Sequence, residues 1–233
     1  MKYFKTKFII LISVLALISG CSHTNELMRY DITGTKILFK KYSVPGYANV
    51  NVFLNDEVND NSKYPYVVLI KIFGEEKIKS DVREKLKKAI NPDSIVTSIS
   101  NSIKDEMITY YGIIPVDSVS DNPQFVCETR FEKFSLNSGS YGVTAEIKSR
   151  VTITQRPTGK IVWENTEHQH LPVYDIMISY AGGKLSRTVG SVVNAVRLSN
   201  MTEEEIRESI RNAAAETGKE QCRTLREDIS ETK

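Results

Sequence analysis

The side chains best suited to chemistry in this chain of 233 residues are its three histidines and three cysteines. His168 and His170 stand two apart, a spacing that puts both on one face of a strand, and with Glu164 or Glu167 nearby they offer imidazole and carboxylate ligands of the kind that bind zinc. No third and fourth ligand occurs at a recognised spacing, so the pair is expected to be two solvent-exposed histidines at a strand end, with no metal. With His23 distant in the chain, a histidine-based nucleophile triad has few candidates. The stretch Ala181-Gly182-Gly183-Lys184-Leu185-Ser186 is shaped like a phosphate loop, but position 178 is Ile where the pattern needs Gly, and Leu185 follows the lysine. Gly-x-Ser-x-Gly, His-Glu-x-x-His and Cys-x-x-Cys are absent. The acidic pair Glu203-Glu204 falls at a helix start, where it complements the helix dipole. The chain is therefore expected to be no enzyme and to use no cofactor.

The cysteines divide into one at the N-terminal segment and two beyond it. Lys2, Lys5 and Lys7 precede an apolar run from Phe8 to Ile18, which is shorter than the about 20 residues that cross a bilayer. Ile18-Ser19-Gly20-Cys21 then closes the run with small residues before a Cys. This pattern resembles the lipobox of bacterial lipoproteins. The resemblance implies that Ile18, Ser19 and Gly20 are read by the signal peptidase, and that Cys21 is acylated and becomes the first mature residue. Several acyl chains at about 0.8 kcal/mol per buried methylene would hold the chain to a membrane essentially irreversibly. Ser22 stands where many bacteria place an inner-membrane retention Asp, so the same resemblance favours the outer membrane where the source has one. Cys127 and Cys222 would then lie in a compartment that permits a disulfide, although two buried free thiols remain the plainer expectation.

Loss of the leader removes three lysines and no acid, so 31 basic and 29 acidic residues become 28 and 29. The mature chain is near neutral, with no basic stripe to suggest nucleic acid. The expected organisation is a signal peptide over 1–20, a lipid-anchored tether over 21–34, and one α+β domain over 35–233 whose C-terminal part, about 184–230, is helical.

The elements that must position these residues follow from hydrophobic period. Strands are expected at Lys36 to Tyr42, Asn49 to Phe53 and Tyr66 to Ile72, and a charged helix at Lys77 to Ile90. Ile95, Ile99, Ile103 and Met107 recur every four residues, predicting a helix capped by Asp93 or Ser94 and ended by Gly112. Phe125, Cys127, Thr129 and Phe131 alternate with charged residues up to a turn at Asn137 to Ser140. Tyr141 to Ile153 alternates as strictly, with Ser149 the one polar residue on its inner face. Arg156-Pro157-Thr158-Gly159 turns the chain into a strand from Lys160 to Glu167, making a β-meander. Lys184 to Leu198 is spaced as a helix, and Thr202 to Glu205 forms a capping box for a long terminal helix. The fold class is therefore α+β: an antiparallel sheet with a central β-meander, packed on one side by amphipathic helices.

Thr158-Gly159-Lys160-Ile161-Val162-Trp163-Glu164, with the lipobox and the terminal helix, resembles bacterial envelope lipoproteins that share a Thr-Gly-Lys/Arg-x-x-Trp hairpin. These include auxiliary lipoproteins of ABC-type lipid transporters, lipopolysaccharide-assembly lipoproteins and curli-type secretion subunits. The resemblance implies a lipid-anchored, non-enzymatic subunit or adaptor of an envelope assembly, transport or secretion machine. Its partners would be the membrane and an envelope protein, with no nucleic acid; a ring-forming subunit and a monomeric plug share this pattern. Trp163, Val189, Val192 and Val193 are the candidate partner contacts. Trp163 has the alternative of packing beneath the terminal helix. The alternative function is a lipoprotein that binds a small molecule, glycan or lipid between the sheet and the Leu171 to Leu198 segment.

Overall fold

The structure is a computed structural model describing residues 24–43, 51–54, 66–70, 76–139, 142–172 and 200–230. Its centre is the meander that the alternation predicts: β6 (Phe125–Gly139), β7 (Gly142–Gln155) and β8 (Lys160–Pro172). Around it lie β1 (Thr24–Asn25), β2 (Lys36–Tyr42), β3 (Asn51–Leu54), β4 (Tyr66–Ile70) and β5 (Ile114–Val116). The helices are α1 (Glu76–Ala89), α2 (Pro92–Tyr111) and α3 (Glu203–Ser230).

The sheet is mixed rather than antiparallel, which corrects the expectation. One edge of β6 is paired along its length by β7, antiparallel. Its other edge is shared between two parallel strands, β2 against Phe125 to Arg130 and β4 against Phe134 to Asn137. β5 and β3 extend these two arms, again in parallel. A β-bulge between Phe131 and Lys133 falls between the two arms. The inward phase changes across it, from Phe125, Cys127, Thr129 and Phe131 to Phe134 and Leu136, all buried. The turn also comes later than expected, since β6 continues to Gly139, paired with Gly142.

From Thr24 onward the segment expected to be a tether is part of the domain. Thr24 and Asn25 pair antiparallel with Glu164 and Trp163, Leu27 and Ile32 are buried, and Glu26 forms an ion pair with Lys160.

The helices pack on one face of the sheet. Asn91, not Asp93 or Ser94, caps α2: its side chain accepts from the Ser94 amide at 3.1 Å, with Pro92 in the first turn where its missing N–H costs nothing. Gly112 ends α2 with φ +59°, a left-handed cap that a Cβ would strain. The predicted stripe Ile95, Ile99, Ile103 and Met107 is at most 1% exposed. Thr202 and Glu205 cap α3 reciprocally, the Glu205 amide donating to Thr202 Oγ1 at 3.2 Å and the Thr202 amide to Glu205 Oε2 at 2.7 Å.

Where α3 crosses α2 the contact is backbone to backbone. A Cβ on Gly218 would stand 2.6 Å from the Ile99 carbonyl oxygen and 2.8 Å from Ser102 Cβ. Ala213, Ala214 and Thr217 on α3, and Ser102 on α2, complete a buried stripe of small residues. From this depth α3 reaches the sheet through Gln221, whose Nε2 donates to the Ser149 carbonyl at 3.1 Å and to Ser149 Oγ at 3.3 Å. Gln221 Oε1 accepts from Asn165 at 3.1 Å. Ser149, the polar interruption of the inner face, is thus the docking point of the helix.

Gly218→Ala gains about 1 kcal/mol of helix propensity but overpacks the crossing, which commonly costs about 1–3 kcal/mol. With backbone as the obstacle, a net destabilisation is expected in urea unfolding; unchanged or higher stability would refute the close crossing. Gln221→Leu leaves Ser149 and Asn165 short of a buried partner, and is expected to cost about 1–3 kcal/mol in the same assay.

Candidate functional site

The face of the meander opposite the helices carries charge on every strand. Glu132 on β6 forms ion pairs with both Lys148 and Arg150 on β7 at 3.0 Å, and Arg150 also approaches Glu164 on β8 at 4.0 Å. Beside this lattice the two histidines acquire a third group. His168 Nε2 stands 2.6 Å from Glu146 Oε1, the His168 and His170 ring centres are 4.9 Å apart, and the potential ligand atoms of all three residues lie within 4.8 Å of one another. Among the described residues no other His, Cys, Asp and Glu side chains form such a group.

Two register shifts bring these residues together. Next to the turn Gln155 pairs with Lys160, and an unbroken ladder from there would set Glu146 opposite Gln169, on the face away from both histidines. The bulge between Ile153 and Thr154 moves the register by one, so Glu146 faces His170 and Lys148 faces His168. The bulge in β6 likewise sets Ser135 opposite Glu146. The two carboxylates near the histidines in sequence are engaged elsewhere: Glu164 accepts from Thr152, and Glu167 accepts from Asn165, Gln169 and Thr224 on the helix side.

Glu146 is a half-buried hub. Ser135 Oγ donates to Oε2 at 2.7 Å, and Lys133 Nζ approaches Oε1 at 3.3 Å. Burial opposes ionisation of this carboxyl, but the hydrogen bonds from Ser135, His168 and Lys133 outweigh it and hold its pKa at about 2. Ser135 is itself 1% exposed and accepts from Asn137 Nδ2 at 3.0 Å. His168 and His170 are exposed.

Of the candidate contacts, Trp163 is 1% exposed and packs beneath α3, its indole N–H donating to Asp228 Oδ2 at 2.7 Å. It joins hairpin to helix and presents no surface to a partner, which corrects that reading of it. Ile18, Ser19, Gly20, Cys21, Val189, Val192 and Val193 lie outside the described residues, as does most of the Leu171 to Leu198 segment that would wall the alternative groove.

Cys127 and Cys222 are free and buried. Both line a narrow apolar gap between sheet and α3 with Met107, Ile153 and Trp163, and Cys222 Sγ points at the Ile103 carbonyl at 3.6 Å. Burial pushes the Cys222 thiol up to about 12 and the Cys127 thiol well above the usual range.

No protein-family model and no curated protein matches the chain. Among solved structures it is similar to the PelC dodecamer from Paraburkholderia phytofirmans, at 12% identity over 76% of this chain and 87% of that one, with a TM-score of 0.29. A protein from Xanthomonas campestris of the family model DUF330 is 9% identical over 83% of this chain and 90% of that one, TM-score 0.35. The LpoB C-terminal domain from Salmonella enterica is 13% identical over 59% and 83%, TM-score 0.19. At these identities and TM-scores the chemistry of the site rests on its own residues.

Burial of both thiols predicts that iodoacetamide at about pH 8 modifies neither Cys127 nor Cys222 in the folded protein and both in denaturing urea, where thiolate forms freely. Intact-mass spectra read this directly, and rapid labelling of the native chain would contradict it.

Proposed function

We propose that this chain is an exported, lipid-anchored, non-enzymatic component of a bacterial cell-envelope assembly, transport or secretion machine, held to its membrane by acyl chains on Cys21. The observation that carries the reading is the Ile18-Ser19-Gly20-Cys21 pattern behind a lysine-bearing apolar run. Ser22 after that cysteine supports the outer membrane where the source has one.

The start of the fold adds a mechanical consequence. Only Ser22 and His23 separate Cys21 from β1, a span of about 10 Å at most. On this reading the domain does not swing on a long leash: the β1–β8 edge is its part nearest the membrane. Confinement raises the effective concentration of a membrane-bound partner, so a weak contact suffices. The partner would meet the domain's surface rather than Trp163.

Cys21→Ala is expected to abolish incorporation of a clickable palmitate analogue and to leave the precursor unprocessed. Labelling at the wild-type level would remove the anchor from this reading. Gentle solubilisation of the lipidated protein is expected to recover an envelope transporter, barrel or channel at near-stoichiometric yield. Recovery of the chain alone, with reproducibly bound lipid or glycan, would favour the ligand-binding alternative.

A further inference from the structure

We infer that Glu146, His168 and His170 form a binding site for a late first-row divalent cation of the zinc type. Two imidazole nitrogens and one carboxylate oxygen are a donor set that suits zinc, cobalt and nickel, whereas calcium and magnesium prefer oxygen alone. The donor atoms already lie within 4.8 Å of one another, and tetrahedral zinc at about 2.0–2.2 Å from each ligand needs them about 3.3 Å apart. Torsion of two exposed imidazoles draws the wider pairs in and opens the 2.6 Å His168–Glu146 contact to that spacing without moving the strands. Three protein ligands on a solvent-facing surface leave at least one coordination position open, the arrangement of an accessible rather than a closed structural site.

The carboxylate is prepared for this role. The buried Ser135 hydroxyl, itself bonded by Asn137, holds Oε2 and leaves Oε1 to face the histidines. Such outer hydrogen bonds orient metal ligands and commonly change affinity about 10–100-fold when lost. Oε1 already attracts positive charge, with the Lys133 ammonium at 3.3 Å. A cation bound between Oε1 and the imidazoles takes the place of that ammonium, so Lys133 is a competitor of the metal. Elsewhere on this face the carboxylates face Lys and Arg; in the described structure, imidazoles occupy two successive outward positions only here.

The test is a zinc titration of the full lipidated chain in detergent, produced without a histidine tag, against a chromophoric chelator. Cobalt then reports coordination by its visible absorption. One equivalent of zinc is expected to bind and to raise the thermal midpoint. His168→Ala, His170→Ala and Glu146→Gln are each expected to weaken binding by about tenfold or more, and Ser135→Ala by about tenfold. Lys133→Met is expected to tighten it several-fold, while His23→Ala changes nothing. The two histidines are exposed, so their variants keep the fold, and an unchanged midpoint without metal verifies this. Absence of binding at about 1 mM zinc, or binding that survives both histidine substitutions or follows His23, would overturn the assignment.

Discussion

The depth of the whole domain is set by one steric constraint, the passage of α3 across α2 with no side chain at Gly218 to hold them apart. A glycine in the middle of a 28-residue helix is unfavourable for the helix itself, and a backbone carbonyl 2.6 Å from where a Cβ would stand explains its presence. At that separation only small residues fit between the helices, and α3 is set deep enough for Gln221 to bond Ser149 and Asn165 on two neighbouring strands. Those bonds are position-specific where the surrounding apolar contacts are not. A one-residue slide of β8 against β7 would break the bonds and place Asn165 on the wrong face. Trp163, bonded to Asp228 two turns further along α3, fixes the same register a second time.

The local part of this fold was legible in the sequence. The period of two through β6 and β7, the four-residue spacing of α2, its terminal glycine and the capping box of α3 each have a cause within a few residues of chain. What escaped were relations between distant segments. Parallel pairing of β2 and β4 with β6 joins residues far apart in sequence, and nothing in an apolar pentapeptide such as Tyr66–Ile70 says which neighbour it takes. The Asn91 cap was missed because the Pro92 that follows it resembles a terminator, although proline is at home in a first helical turn. The docked Thr24 and Asn25 are polar, and their order comes from β8 rather than from their own composition.

Glu146 shows the same limit at the candidate site. From the histidines, sequence points to the near carboxylates Glu164 and Glu167, whereas the structure supplies one from the neighbouring strand through a bulge at Ile153. A bulge changes which residues share a face while leaving the local alternation readable on both sides of it. The only available signal was the adjacency of Val162 and Trp163: two large apolar residues in succession cannot both point inward on a regular strand, yet both are buried.

The margins of the described sheet bear on how it meets other chains. Among the described residues its terminal strands are short, two residues in β1, four in β3 and three in β5, and β5 has Pro115 at its middle, where no N–H is available to a newcomer. The longer margin of β8 beyond β1 carries Glu167, His168 and His170 and stops at Pro172. Unpaired strand edges invite like chains to add on and grow into fibrils. Brevity, proline and charge at these described margins leave little free backbone for a like strand to pair with.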